Sequence, residues 1–286
     1  MRDPASTAEH EPPNTAAGEL RPPLDVPLWG GGTERPSPAM RVVFPRPRRG
    51  TRAPALVVFR GGGYATNAGS GGGAAEWAAS HGMVGAEVGY RTSFPDNLAD
   101  AARAVRLMRA HADDWGVDPG RTGVLGFSAG GHLASLLSTQ PTLAGDPPDE
   151  LAPRIAARPD FVVLAYPVIS FVERHAPGAL ASSVENFFAH RDADEPARRR
   201  FSNELHVAAD HPPVFAWHTA DDPLVPAAHS QRFVEACERA GVPVSFTLFA
   251  HGPHAMGLAL SDPSDVSTWT RLLLDWLAAR DVLAAR

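Results

Sequence analysis

The pentapeptide Gly126-Phe127-Ser128-Ala129-Gly130 directly follows the apolar run Thr122-Gly123-Val124-Leu125. This order predicts a strand that ends in a tight turn, from which a helix begins. Glycines two residues before and after the serine suit such a turn, because a Cβ at either position would clash. The Ser128 hydroxyl would then be exposed at the top of a sheet, with a helix N-terminus behind it. The pattern alone is common in a chain rich in glycine and serine, so the remaining sequence must support it.

The composition is that of a globular protein. The 286 residues are 44% hydrophobic and 20% charged, which suits one large domain or a domain with an inserted cap. The net charge is −6 and no basic patch with interleaved aromatics occurs, so we expect no nucleic-acid partner. No stretch has the roughly 18 apolar residues of a membrane span, and the N-terminus lacks the apolar region of a signal peptide. We therefore expect no membrane partner and a cytoplasmic location.

Two residue types limit the chemistry. All 26 basic residues are arginine, which excludes a Schiff-base enzyme, a P-loop and a Ser-Lys dyad, since each needs an amine. The single cysteine, Cys237, excludes an intrachain disulfide and a cysteine zinc site. Its place beside Phe233 and Val234 in a helical pattern favours a core residue over a nucleophile. We expect no cofactor and no metal.

From Met40 onward, predicted strands alternate with helical patterns. Several strands are continuous apolar runs, as expected for strands that are buried on both faces. The alternation predicts an α/β fold with a mostly parallel central sheet and helices on both faces. The predicted strands are Arg41–Phe44, Ala55–Arg60, Val84–Tyr90, Thr122–Phe127, Phe161–Tyr166, Val214–His218 and Val244–Phe249.

Two parts of the chain depart from this rhythm. Residues 1–38 form a Pro-rich arm with little predicted regular structure, and residues 39–286 form the main domain. Within the arm, apolar residues at 24, 26, 28 and 29 are candidates to dock on the core. Segments around 141–160 and 168–211 are polar and interrupted by prolines, which predicts a small cap or specificity insertion. The arm could contribute to a homodimer or cover the site, and both alternatives stay open.

A serine nucleophile needs a base, and the base needs an acid that fixes its tautomer. The acid candidates are Asp221 and Asp222, just past a predicted strand. We prefer Asp222, because it directly precedes Pro223-Leu224-Val225-Pro226, a phrase that usually follows the orienting acid in folds with such an elbow. Asp221 would then be a loop cap or a surface charge.

The base candidates are His251 and His254, which follow the next predicted strand. We prefer His254, because His251 lies closer to the strand end and suits a solvated loop. His218 and His132 are expected to be structural. A metal site built from His218, Asp221, Asp222, His251 and His254 is a weak alternative, since no pair of histidines has helical ligand spacing and no H-E-x-x-H occurs.

Stabilising the negative oxygen of an acyl-transfer intermediate requires backbone N–H donors. Ala129, directly after the serine, is one candidate. Gly62 and Gly63 are the others, from the run Arg60-Gly61-Gly62-Gly63-Tyr64 that follows a predicted strand. The alternatives are a flexible turn or a phosphate-binding loop. A dinucleotide loop would need G-x-G-x-x-G and an acid at the end of the next strand, which instead ends in Gly89-Tyr90-Arg91.

The chain resembles the acetylxylan-esterase-like, or BD-FAE-like, branch of the α/β-hydrolases, and is also similar to the hormone-sensitive-lipase-like esterases. The resemblance covers about residues 55–260. It implies an α/β-hydrolase fold with Ser128, Asp222 and His254 as the catalytic triad. The resemblance rests on the sequence motifs Gly61-Gly62-Gly63-Tyr64, Tyr90-Arg91, Gly116-Val117-Asp118-Pro119, Gly126 to His132, Tyr166-Pro167-Val168-Ile169, His218 to Pro226 and Gly252-Pro253-His254.

The implied activity is a serine carboxylesterase or deacetylase that hydrolyses a small-molecule or carbohydrate ester through an acyl-enzyme. The alternatives are a lyase, cyclase or acyltransferase of a small-molecule pathway on the same scaffold, and a catalytically silent binding module. Three residues depart from the family pattern: Arg60 replaces Pro or His, Gly71 replaces Glu, and Ala255 replaces Gly. The candidate substrate contacts are Arg60, Tyr64 and Tyr166. Arg60 would pair with an anionic group on the substrate, or form a salt bridge within the arm or cap.

Overall fold

A single eight-stranded sheet organises the chain. The computed structural model describes residues 20–30, 37–47, 50–144, 149–172, 179–191 and 193–284. Within these residues the strand order across the sheet is β1-β2-β4-β3-β5-β6-β7-β8. The strands are β1 (Leu24–Pro27), β2 (Ala39–Val43), β3 (Ala53–Phe59), β4 (Val84–Val88), β5 (Val117–Phe127), β6 (Val162–Ala165), β7 (Val214–Thr219) and β8 (Val244–Phe249).

The six strands from β4 to β8 across the sheet are parallel, and β2 runs antiparallel to both of its neighbours, β1 and β4. The predicted α/β fold with a mostly parallel sheet is therefore confirmed, as are all seven predicted strands. Because the parallel strands share one direction, the loops after β3, β5, β7 and β8 meet at the same sheet edge. This edge carries every side chain that the sequence predicts for catalysis.

Helices cover both faces of the sheet. Alternate residues along one strand face opposite layers: Val124 packs in the core that contains α2, α4 and α7, whereas Leu125 packs in the core that contains α1 and α8. The helices are α1 (Ala74–Ser80), α2 (Asp96–Ala110), α3 (Ala112–Trp115), α4 (Ala129–Thr139), α5 (Ala179–Phe187), α6 (Glu195–Arg200), α7 (Ala228–Ala240) and α8 (Trp269–Ala278). Among the residues that the structure describes, no helix has the length and apolar character that crossing a bilayer requires.

Cys237 lies fully buried in α7, as predicted for a core residue. Burial raises the pKa of its thiol to about 12, because the thiolate would lose its hydration. A thiol held in this protonated form is a poor nucleophile.

Strand β1 was not predicted. Leu24–Pro27 pairs antiparallel with β2, and the next residue, Leu28, has no exposed surface. The short apolar alternation at 24, 26 and 28 is enough for an edge strand, where a proline costs no ladder hydrogen bond on its solvent side. Part of the predicted arm therefore belongs to the sheet, whereas residues 1–19 and 31–36 lie outside the described residues.

A buried carboxylate on α2 ties this N-terminal strand segment to the core. The side chain of Asp100 is completely buried and accepts a hydrogen bond from the Trp29 indole at 2.6 Å. It also accepts bonds from the Arg91 guanidinium at 2.7 and 2.9 Å and from the Arg91 backbone N–H at 2.9 Å. Removal of this carboxylate would leave the Trp29 indole and the Nε and Nη2 donors of Arg91 without this acceptor, whereas Arg91 Nη1 would keep its contact with Asp96.

We predict that Asp100→Ala lowers the free energy of unfolding by about 1–3 kcal/mol, the usual effect of leaving buried hydrogen-bond donors without their acceptor. Urea denaturation would measure the change. The control is Asp275→Ala, which breaks an exposed ion pair with Arg271 and should change stability by less than about 0.5 kcal/mol. Equal losses in the two variants would contradict a stabilising role for the Asp100 network.

Candidate active site

Ser128 occupies the turn between β5 and α4 in a strained backbone conformation, with φ 53° and ψ −118°. Backbone hydrogen bonds hold it there. Its N–H donates to the Ala165 carbonyl at 3.1 Å, and its carbonyl accepts from Gly131 and Val168. The flanking glycines are required by space: a Cβ on Gly126 would lie 2.3 Å from the Gly130 oxygen, and a Cβ on Gly130 would lie 2.1 Å from the Phe59 oxygen. Helix α4 therefore packs directly against the ends of β3 and β5.

Three side chains from three different loops form one hydrogen-bonded chain. The Ser128 hydroxyl lies 2.8 Å from His254 Nε2, and His254 Nδ1 lies 2.6 Å from Asp222 Oδ2. The other carboxylate oxygen of Asp222 accepts the backbone N–H groups of Leu224 and Val225 at 2.9 and 3.0 Å. The structure thus brings together the serine, the preferred base and the preferred acid of the sequence prediction.

The environment of Asp222 keeps it ionised. Burial alone would raise its pKa, but hydrogen bonds from His218 and His254 outweigh this effect and hold the pKa below the ordinary value for an aspartate. The side chain of Asp222 has no exposed surface. A carboxylate that stays charged in this position fixes the Nδ1–H tautomer of His254 and leaves Nε2 as an acceptor for the serine proton.

The alternative acid and base pair with each other at the rim of the site. Asp221 Oδ2 lies 2.9 Å from His251 Nδ1, and Asp221 Oδ1 accepts the Gly252 N–H at 2.9 Å. The His251 side chain is 87% exposed. These bonds join the loop that carries Asp222 to the loop that carries His254. The five residues considered for a metal site are therefore divided between two separate Asp–His arrangements.

The glycine loop after β3 lies against the serine. A Cβ added to Gly61 would be 3.1 Å from the Ser128 Cβ. Gly62 and Gly63 have positive φ angles of 137° and 61°, which a residue with a side chain rarely adopts. The N–H groups of Gly62, Gly63 and Ala129 donate no hydrogen bond to an acceptor within the described part of the chain. These three N–H groups, which come from the glycine loop and from the residue after Ser128, therefore have no partner among the described residues.

The two tyrosines expected to contact substrate are buried. Tyr64 is 1% exposed, and its hydroxyl is bonded to His132 Nδ1 at 2.8 Å. Tyr166 is also 1% exposed, and its hydroxyl accepts the Gly257 N–H at 2.8 Å. The Tyr166 ring lies edge-on to His254, 4.9 Å between centroids. Both side chains are thus buried and hydrogen-bonded within the protein, and their contact with a substrate stays a prediction from the sequence.

Arg60 contacts the protein rather than the open site. Its guanidinium lies 3.0 Å from the Glu87 carboxylate and donates to the carbonyls of Ala68 and Gly69 at 2.7 and 2.8 Å. The 68–70 segment in turn bonds Gly61, whose N–H donates to the Ser70 carbonyl and whose carbonyl accepts from Gly69. Arg60 therefore braces the glycine loop, and its salt bridge is to β4 rather than to the predicted arm or cap.

Two polar side chains near the site were not assigned a role from the sequence. Asn186 of α5 donates to the Gly63 carbonyl at 3.0 Å, so the helix within the predicted 168–211 insertion touches the glycine loop. His218, expected to be structural, lies 3.3 Å from Asp222 Oδ2. Its spacing of four residues before the acid was the only sequence signal for this contact.

The chain is similar in sequence and fold to known proteins. The model of the BD-FAE family matches residues 40–237. The chain belongs to the BD-FAE family. The match spans the strand, glycine loop and serine turn described above and continues into α7, and it ends before the loop that carries His254.

Similar proteins named as esterases include both sequences and solved structures. The crystal structure of an acetyl ester-xyloside bifunctional hydrolase from Caldicellulosiruptor lactoaceticus has a TM-score of 0.80 and 32% identity, over 91% of this chain and 97% of that chain. The acetylxylan esterase of Xylanibacter ruminicola is 31% identical over 71% of this chain and 41% of that protein. Esterase LipQ of Mycobacterium tuberculosis is 28% identical over 82% of this chain and 57% of that protein. The chain thus spans about half the length of the acetylxylan esterase and of LipQ. It spans 26% of endo-1,4-beta-xylanase B from Butyrivibrio fibrisolvens, which also matches.

We predict that Gly130→Ala displaces the serine turn, because its Cβ would meet the Phe59 carbonyl at 2.1 Å. The expected result is a loss of about 1–3 kcal/mol in unfolding free energy, together with a lower rate of ester hydrolysis. Gly120→Ala is the matched control, since its Cβ would be 3.5 Å from its nearest neighbour. Wild-type stability and activity in Gly130→Ala would contradict the packing argument.

We predict that Arg60→Gln lowers kcat by a similar factor for neutral and acidic esters, because it loosens the segment that supports Gly61. Kinetics with a matched pair of acetyl esters, one neutral and one carrying a carboxylate, would measure this. A loss confined to the acidic ester would instead support the anionic substrate contact predicted from the sequence.

Proposed function

We propose that this BD-FAE family member is a serine carboxylesterase that hydrolyses a small-molecule or carbohydrate ester, with acetyl esters as the first candidates. The observation that carries the proposal is the continuous chain from Ser128 Oγ through His254 to Asp222, at 2.8 and 2.6 Å. The similar proteins support the same reaction class, because they include an acetylxylan esterase and an acetyl ester-xyloside bifunctional hydrolase.

The reaction follows from the proton positions. His254 Nε2 accepts the Ser128 proton as the oxygen attacks the ester carbonyl, and Asp222 stabilises the imidazolium that forms. The imidazolium then gives its proton to the leaving alcohol, which leaves an acyl-enzyme. A water molecule repeats the sequence in the second half: His254 removes its proton, the acid product forms, and the Ser128 hydroxyl is restored.

The negative oxygen of each tetrahedral intermediate would be held by the N–H groups of Gly62, Gly63 and Ala129. Their lack of other acceptors in the described residues supports this role, because such donors need no rearrangement to bind the oxyanion. Ala129 is the first residue of α4, so its N–H is one of the groups that a helix leaves unpaired at its start. Loss of one such donor usually lowers kcat by roughly 10²–10³.

The same acyl-enzyme could also pass its acyl group to an alcohol other than water, which is the acyltransferase alternative. The pocket that selects the ester would be walled by the proposed cap, since α5 already contacts Gly63. The cytoplasmic location and the homodimer stay predictions from the sequence.

The test combines active-site labelling with kinetics. We expect a fluorophosphonate probe to label Ser128 and to leave Ser128→Ala unlabelled. Asp222→Asn should lower kcat on p-nitrophenyl acetate by about 10³–10⁴, because it reverses the tautomer of His254. The matched control is Asp221→Asn, which keeps an oxygen that can accept the Gly252 N–H and changes only an exposed pair with His251, so it should keep activity close to the wild type.

The outcomes separate the alternatives. An unlabelled wild-type protein without activity across acetyl, butyryl and aromatic esters would contradict the proposal, and loss of activity in Asp221→Asn alone would reassign the acid. Turnover in ¹⁸O water must place label in the acid product if hydrolysis is the reaction. Product formation without label would favour acyl transfer.

A further inference from the structure

We infer that His218 is a positioning residue of this active site, which holds the Asp222 carboxylate in the orientation that fixes His254. The inference rests on the proposed serine esterase function. It assigns a purpose to a buried histidine that does not touch the serine.

The contacts of His218 place it directly behind the acid. It lies near the carboxyl end of β7 with no exposed surface. Its Nε2 is 2.9 Å from the Val225 carbonyl and 3.3 Å from Asp222 Oδ2, and its Nδ1 is 2.8 Å from the Ser230 hydroxyl of α7. The ring thus connects the strand before the acid, the acid itself, the loop after it and the next helix.

These partners decide where the proton of His218 lies. The Val225 carbonyl and the Asp222 carboxylate are acceptors only, so Nε2 must carry a hydrogen. The Ser230 hydroxyl, 2.8 Å from Nδ1, completes the hydrogen bonding of the ring. The Nε2–H faces the Val225 carbonyl and Asp222 Oδ2, and the contact with Ser230 holds the ring in this orientation.

Asp222 Oδ2 therefore lies between two imidazoles. The Nδ1–H of His254 approaches at 2.6 Å on the side of the serine, and the Nε2–H of His218 at 3.3 Å on the side of α7. Oδ1 is occupied by two backbone N–H groups. Because the carboxylate is fully buried, solvent cannot replace a donor that is removed.

The other groups around this pair have partners of their own. Tyr166 packs edge-on against His254, and its hydroxyl accepts the Gly257 N–H. Asp221 is directed to the exposed His251. On α7, His229 Nδ1 accepts the N–H groups of Ile169 and Ser170. Among the described residues, His254 and His218 are therefore the two side chains with a nitrogen within 3.3 Å of Asp222 Oδ2.

The alternative is that His218 only satisfies hydrogen bonds in the core. The chain supplies a matched control for this in His211, which is 4% exposed and lies before β7, at the end of the strand opposite the site. Like His218, it is bonded to one backbone carbonyl, that of Pro212, and to one serine hydroxyl, that of Ser138. Replacement of either histidine should therefore have a similar cost in stability, and only His218 should affect the acid.

The experiment compares His218→Leu, His218→Gln, His218→Asn and His211→Leu in the full chain. Glutamine can place an N–H near the position of Nε2, whereas the shorter asparagine reaches only the position of Nδ1. For each variant, urea denaturation, the pH dependence of kcat/KM on p-nitrophenyl acetate, and the rate of fluorophosphonate labelling would be measured.

We expect His218→Leu and His218→Asn to lower kcat about tenfold or more, the usual effect of losing a hydrogen bond to a charged group, with KM little changed. The acid limb of the pH profile should move to higher pH in these two variants. With one N–H donor fewer, the negative charge of Asp222 is less stabilised, so Asp222 attracts a proton more strongly and also stabilises protonated His254 more strongly. His218→Gln should recover most of the activity, and His211→Leu should lose stability without a change in the pH profile.

The result that overturns the inference is a wild-type pH profile in His218→Leu, or equal activity of the asparagine and glutamine variants. If the leucine variant does not fold, the comparison of asparagine with glutamine decides. Failure of the proposed function would differ, because the wild-type protein itself would then show neither ester turnover nor labelling of Ser128.

Discussion

The close approach of helix α4 to the ends of β3 and β5 sets the geometry on which the candidate site depends. Gly130 lies so near the Phe59 carbonyl that no side chain would fit between them. This contact holds Ser128 in its strained conformation and brings the start of α4 close to the glycine loop that continues from β3. Ser128 and the proposed oxyanion donors therefore depend on the same packing contact, whereas Asp222 and His254 lie on two separate loops.

The acid and the base are positioned by a second set of contacts around the loops after β7 and β8. The Asp221–His251 pair and the bond from Thr219 to the Gly252 carbonyl join these loops at their bases. Inside them, the buried Asp222 orients His254. Four N–H groups surround this carboxylate and replace the water that it loses on burial. This explains how Asp222 stays charged without exposed surface. Hydrogen bonds thus position Asp222 and His254, whereas close packing of α4 against β3 positions Ser128.

Much of this arrangement could be predicted from the sequence, because parallel strands are continuous apolar runs and catalytic side chains follow their carboxyl ends. Val214 to Trp217 is such a run, whereas Val244 to Phe249 alternates apolar and polar residues, and Asp222 and His254 lie in the loops that follow these two strands. Side-chain directions in irregular backbone could not be predicted. Tyr64 and Tyr166 have positive φ angles of 57° and 38°, so their rings turn into the protein where an extended chain would have directed them elsewhere. Two long-range contacts also have no local sequence signal, because they depend on tertiary packing. Arg60 pairs with a residue of β4 that is 27 residues away, and Asn186 contacts Gly63, which is 123 residues away.

The contact between Asn186 and Gly63 also bears on how such an enzyme could change over evolution. Insertions of this kind are the usual place where substrate preference diverges, since they tolerate substitution better than the sheet does. Here the same helix supports a peptide plane of the glycine loop and buries Phe187 against Tyr64. A mutation in α5 that admits a bulkier ester would therefore also shift the loop that is proposed to bind the oxyanion. Substrate selectivity and turnover would therefore change together. Substitutions elsewhere in the insertion, which do not move α5, would be the easier route to new substrates.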